Sequence, residues 1–290
     1  MIGDGGFWFI QLLNSLQMSM LLFLLSVGLS VIFGLLNFVN LAHGSLYALG
    51  AFLGYSIAEA SGSVWAAFVL APLAVAGIGL VLYVTLIDRL RGAGPMNQVL
   101  VTFGLIFIVL DATRYFWGAD ALGVTEGVPF SGRITVFGQV YPAYRLFIIV
   151  LGFLVYLLLH LLLEHTRIGA EVRAGVDDPE VARCLGINVE RSFLLVFLLG
   201  CALAGLAGAV AMPAFSATLG MGVSILVPTL VVVVVGGLGS LRGALVGSLL
   251  IGTTLTFGQV LVPDFASIVM YALLVLVLLV KPAGLFPVRS

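Results

Sequence analysis

The sequence predicts an all-α polytopic membrane protein with about eight to nine transmembrane helices. Its composition is 62% hydrophobic and only 9% charged, whereas a soluble domain is roughly 25% charged. The two longest stretches without Asp, Glu, Lys or Arg, 5–58 and 192–241, are 54 and 50 residues long. Because one crossing needs about 20 apolar residues, each of these stretches folds back at least once. All charge-free stretches together allow about nine crossings, or eight if one segment is interfacial or re-entrant.

Two glycine-rich segments, 34–44 and 236–243, interrupt long apolar runs. Glycine permits sharp turns and close approach of helix backbones, and paired glycine-interrupted segments in a membrane protein point to a transport pathway. The polar side chains beside a break have two open interpretations: they satisfy freed backbone groups, or they line a solute path. The candidate path and hinge residues are Asn37, Asn40, His43, Gly44 and Ser45 in the first segment, and Gly236, Gly237, Gly239 and Ser240 in the second.

Charge is concentrated in 164–191, which holds ten of the 25 charged residues and which we call the charged island. Within it the sequence predicts a very short helix between Asp178 and Gly186. Asp is a good N-cap, Pro179 suits the first helical position, and Glu180 complements the helix dipole. Glycine can take the left-handed conformation that closes the last turn.

One face of this short helix is apolar, since Val181, Cys184 and Leu185 stand at positions i, i+3 and i+4. A helix of two turns is not stable alone. We therefore expect another protein to supply the groove in which this face docks.

The basic residues orient the chain, because cytoplasmic loops of membrane proteins are enriched in Lys and Arg. Placing 88–97, the charged island and the C-terminal tail in the cytoplasm puts nine of the twelve basic residues inside in a nine-crossing topology. The N-terminus is then external, the C-terminus is cytoplasmic, and 118–145 becomes an external loop of 28 residues. Loops this long are usually functional or carry structure of their own, and two interpretations stay open, a landing surface for an external partner or a merely solvated loop. All three tryptophans fall at the outer interface, where indole rings prefer to lie: Trp8, Trp65 and Trp117.

The sequence shows no motif for nucleotide hydrolysis, since its sole lysine, Lys281, lies close to its end. No His/Cys cluster has metal-ligand spacing and no Ser/His/Asp set is recognisable, so we predict no catalytic or metal site. A net charge of −1 argues against a nucleic-acid partner. Coupling to an ion gradient normally needs intramembrane carboxylates. The only carboxylate placed within a span is Asp111, and we interpret it as a structural ion pair with Arg114.

Three separated blocks of the sequence resemble membrane-spanning permease subunits of ABC importers for branched-chain amino acids. The first resembles the N-F/L-A-H-G segment of that family, the second includes the short helix, and the third covers the second break and the C-terminal region. They occur in the expected order along most of the chain. The blocks are 34–44 with Gly50, 173–188 with Gly200 and 204–208, and 235–244 with 281–286.

The resemblance implies that 1–290 is a single transmembrane permease domain with a cytoplasmic coupling loop, 164–191, and an external loop, 118–145. Importers carry an E-A-A-x-x-x-G signature that docks on the ATPase, and Glu180, Ala182 and Gly186 keep its spacing. Valine replaces the first alanine. The implied ATPase-coupling residues are Asp178, Pro179, Glu180, Val181, Ala182, Arg183, Cys184, Leu185 and Gly186.

The resemblance also implies a function, import of branched-chain or other hydrophobic amino acids across the plasma (inner) membrane of a bacterium or archaeon. The implied partners are a second homologous permease subunit, two cytoplasmic ATPase subunits, an external or periplasmic substrate-binding protein and the lipid membrane. ATP and Mg²⁺ would bind to the ATPases, so we expect no cofactor and no enzyme activity in this chain.

Three alternatives stay open. A passive small-solute channel could use 37–45 as a re-entrant constriction, although the second break has no Asn counterpart. A secondary transporter would need the carboxylates that the sequence lacks. An ABC importer for urea or short amides would have a similar-looking permease.

Overall fold

A computed structural model describes residues 5–36, 38, 40–90, 92–124, 126–136 and 138–286. The regular secondary structure of this part of the chain is helical apart from one two-stranded sheet and an isolated β-bridge. A π-helical turn, Tyr83–Ile87, follows α3, and a 3₁₀ turn, Pro263–Phe265, precedes α12. The elements are α1 (Gly5–Leu36), α2 (His43–Ser61), α3 (Val64–Leu82), α4 (Asp88–Leu90), α5 (Pro95–Trp117), β1 (Arg133–Val136), β2 (Gln139–Pro142), α6 (Ala143–His165), α7 (Arg167–Asp177), α8 (Pro179–Cys184), α9 (Val189–Phe215), α10 (Met221–Gly236), α11 (Leu241–Leu261) and α12 (Ala266–Val280).

Seven helical stretches in the described residues are long and apolar enough to cross a membrane. They correspond to α1, α3, α5, α6, α9, α11 and α12. The apolar helix α10 has only 16 residues, and α2 has 19. Together with these two shorter helices, the seven stretches agree with the predicted eight to nine transmembrane helices. The prediction of an all-α polytopic membrane protein is confirmed.

The centre of the bundle is formed by α1 and α9. In the most apolar 18 residues of each stretch, 83% of the residues are buried in α1 and 67% in α9, compared with 17% in α5 and in the stretch that contains α12. α1 packs against α11, α9 and α6, whereas α9 packs against α2 and α3. The outer helices expose large apolar side chains such as Phe107, Leu158 and Leu276. Such surfaces suit contact with lipid, since hydrocarbon tails solvate apolar side chains without cost.

The bundle has two distinct ends, which α6 connects. The hairpin end carries the antiparallel strands β1 and β2, in which Arg133 lies opposite Pro142. The charged end carries α7 and α8. At the hairpin end, Leu122 and Ala217 exchange backbone hydrogen bonds of 3.0 and 2.6 Å. The loop before the hairpin therefore contacts the link between α9 and α10.

Candidate translocation path and coupling site

The first glycine-rich break returns deep into the bundle. The Nε2–H of His43 donates a hydrogen bond of 3.0 Å to the carbonyl of Leu25, because a carbonyl can only accept. Leu25 lies eleven residues before the end of α1, or about 16 Å along the helix axis. The chain therefore runs back from the end of α1 and starts α2 beside the middle of that helix. The first break therefore lies inside the bundle and is not a loop at its surface.

Polar groups of the first break are partly satisfied by neighbouring elements. The backbone N–H of Leu41 donates to Thr102 Oγ1 at 3.3 Å. Asn40 Oδ1 and His43 Nδ1 are buried and have no hydrogen-bond partner among the described residues. Buried polar atoms are normally paired, so each of these two keeps an unused hydrogen-bonding position. The hydrogen bonds of Leu41 and His43 agree with the first interpretation drawn from the sequence, the satisfaction of freed backbone groups, whereas the solute path stays a prediction. Asn37 lies outside the described residues.

The sequence prediction missed the contribution of α5 to this site. Thr102 is fully buried, and its hydroxyl also donates to the Gln98 carbonyl at 2.7 Å. Gln98 and Thr102 are spaced four apart in an apolar helix, so they lie on one face. That polar pair on a membrane helix is the signal that could have identified them.

α2 and α10 begin against each other inside the bundle. A Cβ at Gly44 would collide with the carbonyl oxygen of Gly222 and would lie 3.2 Å from its carbonyl carbon. Both positions thus need glycine, because only glycine lets the two backbones approach this closely. Ser45, the next residue, is also buried. The first turns of α2 and α10 are therefore in direct contact.

The second break, Gly236 to Ser240, lies at the charged end. Gly237 and Gly239 have φ angles of 106° and 78°, which favour glycine. Ser240 caps α11, since its Oγ accepts a hydrogen bond of 3.0 Å from the N–H of Gly243. A Cβ at Gly34 would collide with the backbone of Gly239. The end of α1 and the second break are therefore in direct contact.

A C-terminal strap, 281–286, packs on the second break. The N–H groups of Leu285 and Phe286 donate to the carbonyls of Val235 and Gly236, both at 2.9 Å. These are carbonyls of the last turn of α10, which a helix leaves without an internal partner. The strap therefore caps α10.

The predicted short helix is present as α8, and both of its ends are capped as expected. The carboxylate of Asp178 accepts hydrogen bonds of 3.0 Å from the N–H groups of Glu180 and Val181. Pro179 occupies the first turn. At the other end Gly186 has a φ of 84°, and the N–H of Ile187 bonds to Ala182 O at 3.0 Å. This 6→1 bond defines a Schellman motif.

The apolar face of α8 predicted from the sequence is exposed to solvent, whereas the opposite side of the helix packs on the chain. Ala182 is 2% exposed and packs on the rest of the subunit. Val181 and Leu185 are 52% and 74% exposed, and Cys184 is exposed too. These three exposed side chains form an apolar surface on a helix that is too short to be stable by itself.

α8 is tied to the central helix α9. Arg183 and Glu190 form an ion pair of 2.8 Å between the last turn of α8 and the first turn of α9. Further along α9, a Cβ at Gly50 of α2 would lie 2.6 Å from the Cα of Gly205. A Cβ at Gly28 of α1 would lie 2.9 Å from the carbonyl oxygen of Gly200. α8 is thus connected through α9 to α1 and α2, which flank the first break.

Two other predictions concern charged and metal-ligating groups. The predicted ion pair of Asp111 with Arg114 is wrong: both side chains are exposed, and no ion pair joins them in the described chain. Both lie in the last turns of α5, where side chains can extend to interfacial water. Within the described ranges, no group of three or more His, Cys, Asp or Glu side chains could hold a metal ion.

The fold and these sites define a class, a polytopic membrane protein with broken helices and a short helix at one end that exposes apolar side chains. Residues 11–278 match the family described as "Branched-chain amino acid transport system / permease component". The match covers more than half of the chain. The chain therefore belongs to the branched-chain amino acid transport permease family.

Relatives are similar along nearly the whole chain. BraD of Pseudomonas aeruginosa, a high-affinity branched-chain amino acid transport system permease protein, is 27% identical, covering 95% of this chain and 94% of that protein. LivH of Salmonella typhimurium is 26% identical with the same coverage. LivM of Salmonella typhimurium is 27% identical, covering 93% of this chain and 68% of that protein. No solved structure matches the chain.

Proposed function

We propose that this chain is the translocation subunit of an ATP-driven importer for branched-chain or other hydrophobic amino acids. The single observation that carries the proposal is α8, whose apolar face points away from the subunit while its other face and its ion pair hold it to α9. A membrane protein that displays such a helix needs a soluble partner to cover it. Relatives named as branched-chain amino acid permeases support the choice of substrate.

The orientation follows from the two ends of the bundle. The charged end, with the basic residues of 164–191, faces the cytoplasm under the positive-inside rule. The hairpin end is external, and its exposed loop and hairpin form the landing surface for a soluble substrate-binding protein. The N-terminus is external and the C-terminus is cytoplasmic, in a plasma (inner) membrane.

The partners are a second homologous permease, two ATPase subunits and the binding protein. LivH and LivM of Salmonella typhimurium are both named permease proteins of a branched-chain amino acid system, and both resemble this chain. That supports pairing of two related permeases. The ATPases bind ATP and Mg²⁺, and α8 docks on them.

In the mechanism, ATP binding closes the ATPase dimer and moves α8 as a rigid lever. The ion pair to Glu190 and the continuous helix α9 carry that motion to Gly28 and Gly50. α1 and α2 then shift around the first break, and α10 and the end of α1 shift around the second. A path opens to the outside because the two states differ in their contacts with the ATPases.

Reconstitution into liposomes tests the proposed function. Leucine uptake is measured with this chain alone, and with the partner permease, the ATPases, the binding protein and ATP. Uptake only by the complete set with ATP supports the proposal. Uptake by the chain alone would show a channel, and uptake driven by an ion gradient would show a secondary transporter. ATP-driven uptake of urea without leucine would show an amide importer.

A further inference from the structure

An aromatic cluster lies at the edge of the hairpin end, where the loop before the hairpin meets α3 and α6. Phe130 comes from this loop, whereas the other four rings come from the first two turns of the two helices. The ring centroids of Phe130 and Phe147 are 5.6 Å apart, a separation typical of attractive aromatic pairs. The members of the aromatic cluster are Trp65, Phe68, Phe130, Tyr144 and Phe147.

The backbone of Phe130 is in a strained conformation. Its φ is 54°, in the left-handed region that is unfavourable for a bulky side chain and favours glycine. Such a conformation persists only where the surrounding contacts hold it. The ring of Phe130 makes those contacts, with Trp65 at a centroid distance of 6.3 Å and with Phe147. The loop is therefore held with this ring against α3 and α6.

The aromatic cluster has a buried side and an exposed side. Phe68 and Tyr144 are buried, and the hydroxyl of Tyr144 donates a hydrogen bond of 2.7 Å to the carbonyl of Val210 in α9. Trp65 and Phe130 are 51% and 57% exposed. An indole ring suits an environment that is apolar on one side and hydrated on the other, as the headgroup region of a bilayer is.

The exposed rings continue the lipid-facing surface of α3 and α6. Both helices belong to stretches that are long and apolar enough to cross a membrane, and these stretches start at Val64 and Ala143. One to two turns further along, exposed apolar side chains follow Trp65 on α3 and Phe147 on α6. These side chains are Val69, Leu73, Val150 and Leu154. The aromatic cluster therefore lies where this apolar surface ends, at the boundary between membrane and water.

The β-hairpin occupies a different part of the same end. β2 packs against the central helix α1, and Tyr141 of β2 is buried. Because side chains alternate along a strand, the adjacent Val140 points away from the bundle, and it is exposed. Val140 therefore faces the water over the centre of the bundle, whereas Phe130 faces outward at its edge.

We propose that Phe130 and Trp65 form an interfacial anchor that binds phospholipid in the leaflet at the hairpin end. The acyl chains cover the faces of the two rings, and the headgroup region supplies polar partners for the indole N–H. The loop is thereby fixed to the membrane at the edge of the bundle, and the hairpin stays free for soluble partners. The inference rests on the membrane location of the chain, and not on the solute or on the other subunits.

Photocrosslinking in proteoliposomes of phosphatidylethanolamine and phosphatidylglycerol tests the anchor. Phe130→p-benzoylphenylalanine keeps an aromatic ring and adds a group that reacts with neighbouring C–H bonds on irradiation. The assembled importer is irradiated with and without the substrate-binding protein, and the adducts are identified by mass spectrometry. The matched control is Val140→p-benzoylphenylalanine, an exposed apolar position at the same end.

Position 130 is expected to form phospholipid adducts with or without the binding protein, and position 140 to form none. Adducts of position 130 with the binding protein or with a partner permease in place of lipid would overturn the assignment. So would the absence of any adduct, or equal lipid adducts at the two positions. The adducts are scored without reference to transport, so failure of ATP-driven uptake would overturn the proposed function and leave this result standing.

A smaller substitution gives an independent measurement. Phe130→Trp and Val140→Trp each add an indole, whose emission is measured in excess of that of the unmodified importer. The excess emission of Phe130→Trp is expected to be lost in phospholipids brominated near the top of the acyl chains and kept when iodide is added to the water. Val140→Trp is expected to show the reverse. Loss of the Phe130→Trp emission with iodide, but not with brominated lipid, would contradict the anchor.

Discussion

Replacement of Leu185 by alanine measures the energy with which α8 docks on its ATPase. Leu185 is 74% exposed in the subunit, and complete burial of a leucine side chain contributes about 1.5–3 kcal/mol. Docking of the exposed part therefore contributes roughly 1–2 kcal/mol. Leu185→Ala is expected to weaken association of the ATPase by about five- to thirtyfold, since 1.4 kcal/mol corresponds to a tenfold change in the dissociation constant.

The assay is titration of the purified ATPase onto the permease pair in nanodiscs, with the thermal stability of the permease measured in parallel. Stability is expected to stay unchanged, because most of the side chain lies outside the subunit. Leu276→Ala is the matched control, a leucine that is 61% exposed on α12. Affinity equal to that of the unmodified protein, or an equal loss in Leu276→Ala, would refute the reasoning.

Two further predictions concern the breaks. Gly50→Ala brings a Cβ against Gly205 and is expected to lower the stability by about 1–3 kcal/mol through overpacking, measured as a lower melting temperature. Gly104→Ala, which has open space around it, is the control and is expected to keep the melting temperature of the unmodified protein. Equal melting temperatures of the two variants would contradict the contact. Deleting 285–290 leaves two carbonyls of α10 without a hydrogen-bond donor, which costs about 1–3 kcal/mol for each buried carbonyl. This deletion is expected to raise basal ATP hydrolysis, whereas deletion of 287–290 is expected to leave it unchanged. Equal basal rates would refute a role for the strap.

Local chemistry explains what the sequence could predict. The ends of α8 depend on residues within nine positions of one another, Asp178 to Gly186, so capping rules were sufficient. The membrane helices follow from the length of charge-free stretches. Both are short-range or compositional properties, and neither requires knowledge of which helices are neighbours.

The features of the site that the sequence did not predict depend on contacts between residues that are distant in sequence. Glycine at 44 and 222 indicates a close approach, but not that the two positions approach each other. The depth of the first break depends on His43 finding the carbonyl of Leu25, and the capping of α10 depends on the strap. Asp111 was assigned a partner by spacing alone, although the end of α5 exposes both side chains. Tertiary packing decided the first three cases, and exposure of both side chains decided the last.

The central claim is that α8 transmits ATP hydrolysis to the membrane path. It is tested by measuring ATP hydrolysis in the reconstituted importer, with and without substrate-loaded binding protein, in Glu180→Lys and Gly186→Pro. Proline cannot adopt the φ of 84° and has no N–H for the bond to Arg183 O. We predict that both complexes assemble but lose the stimulation by substrate. Normal stimulation in either assembled variant would contradict the account.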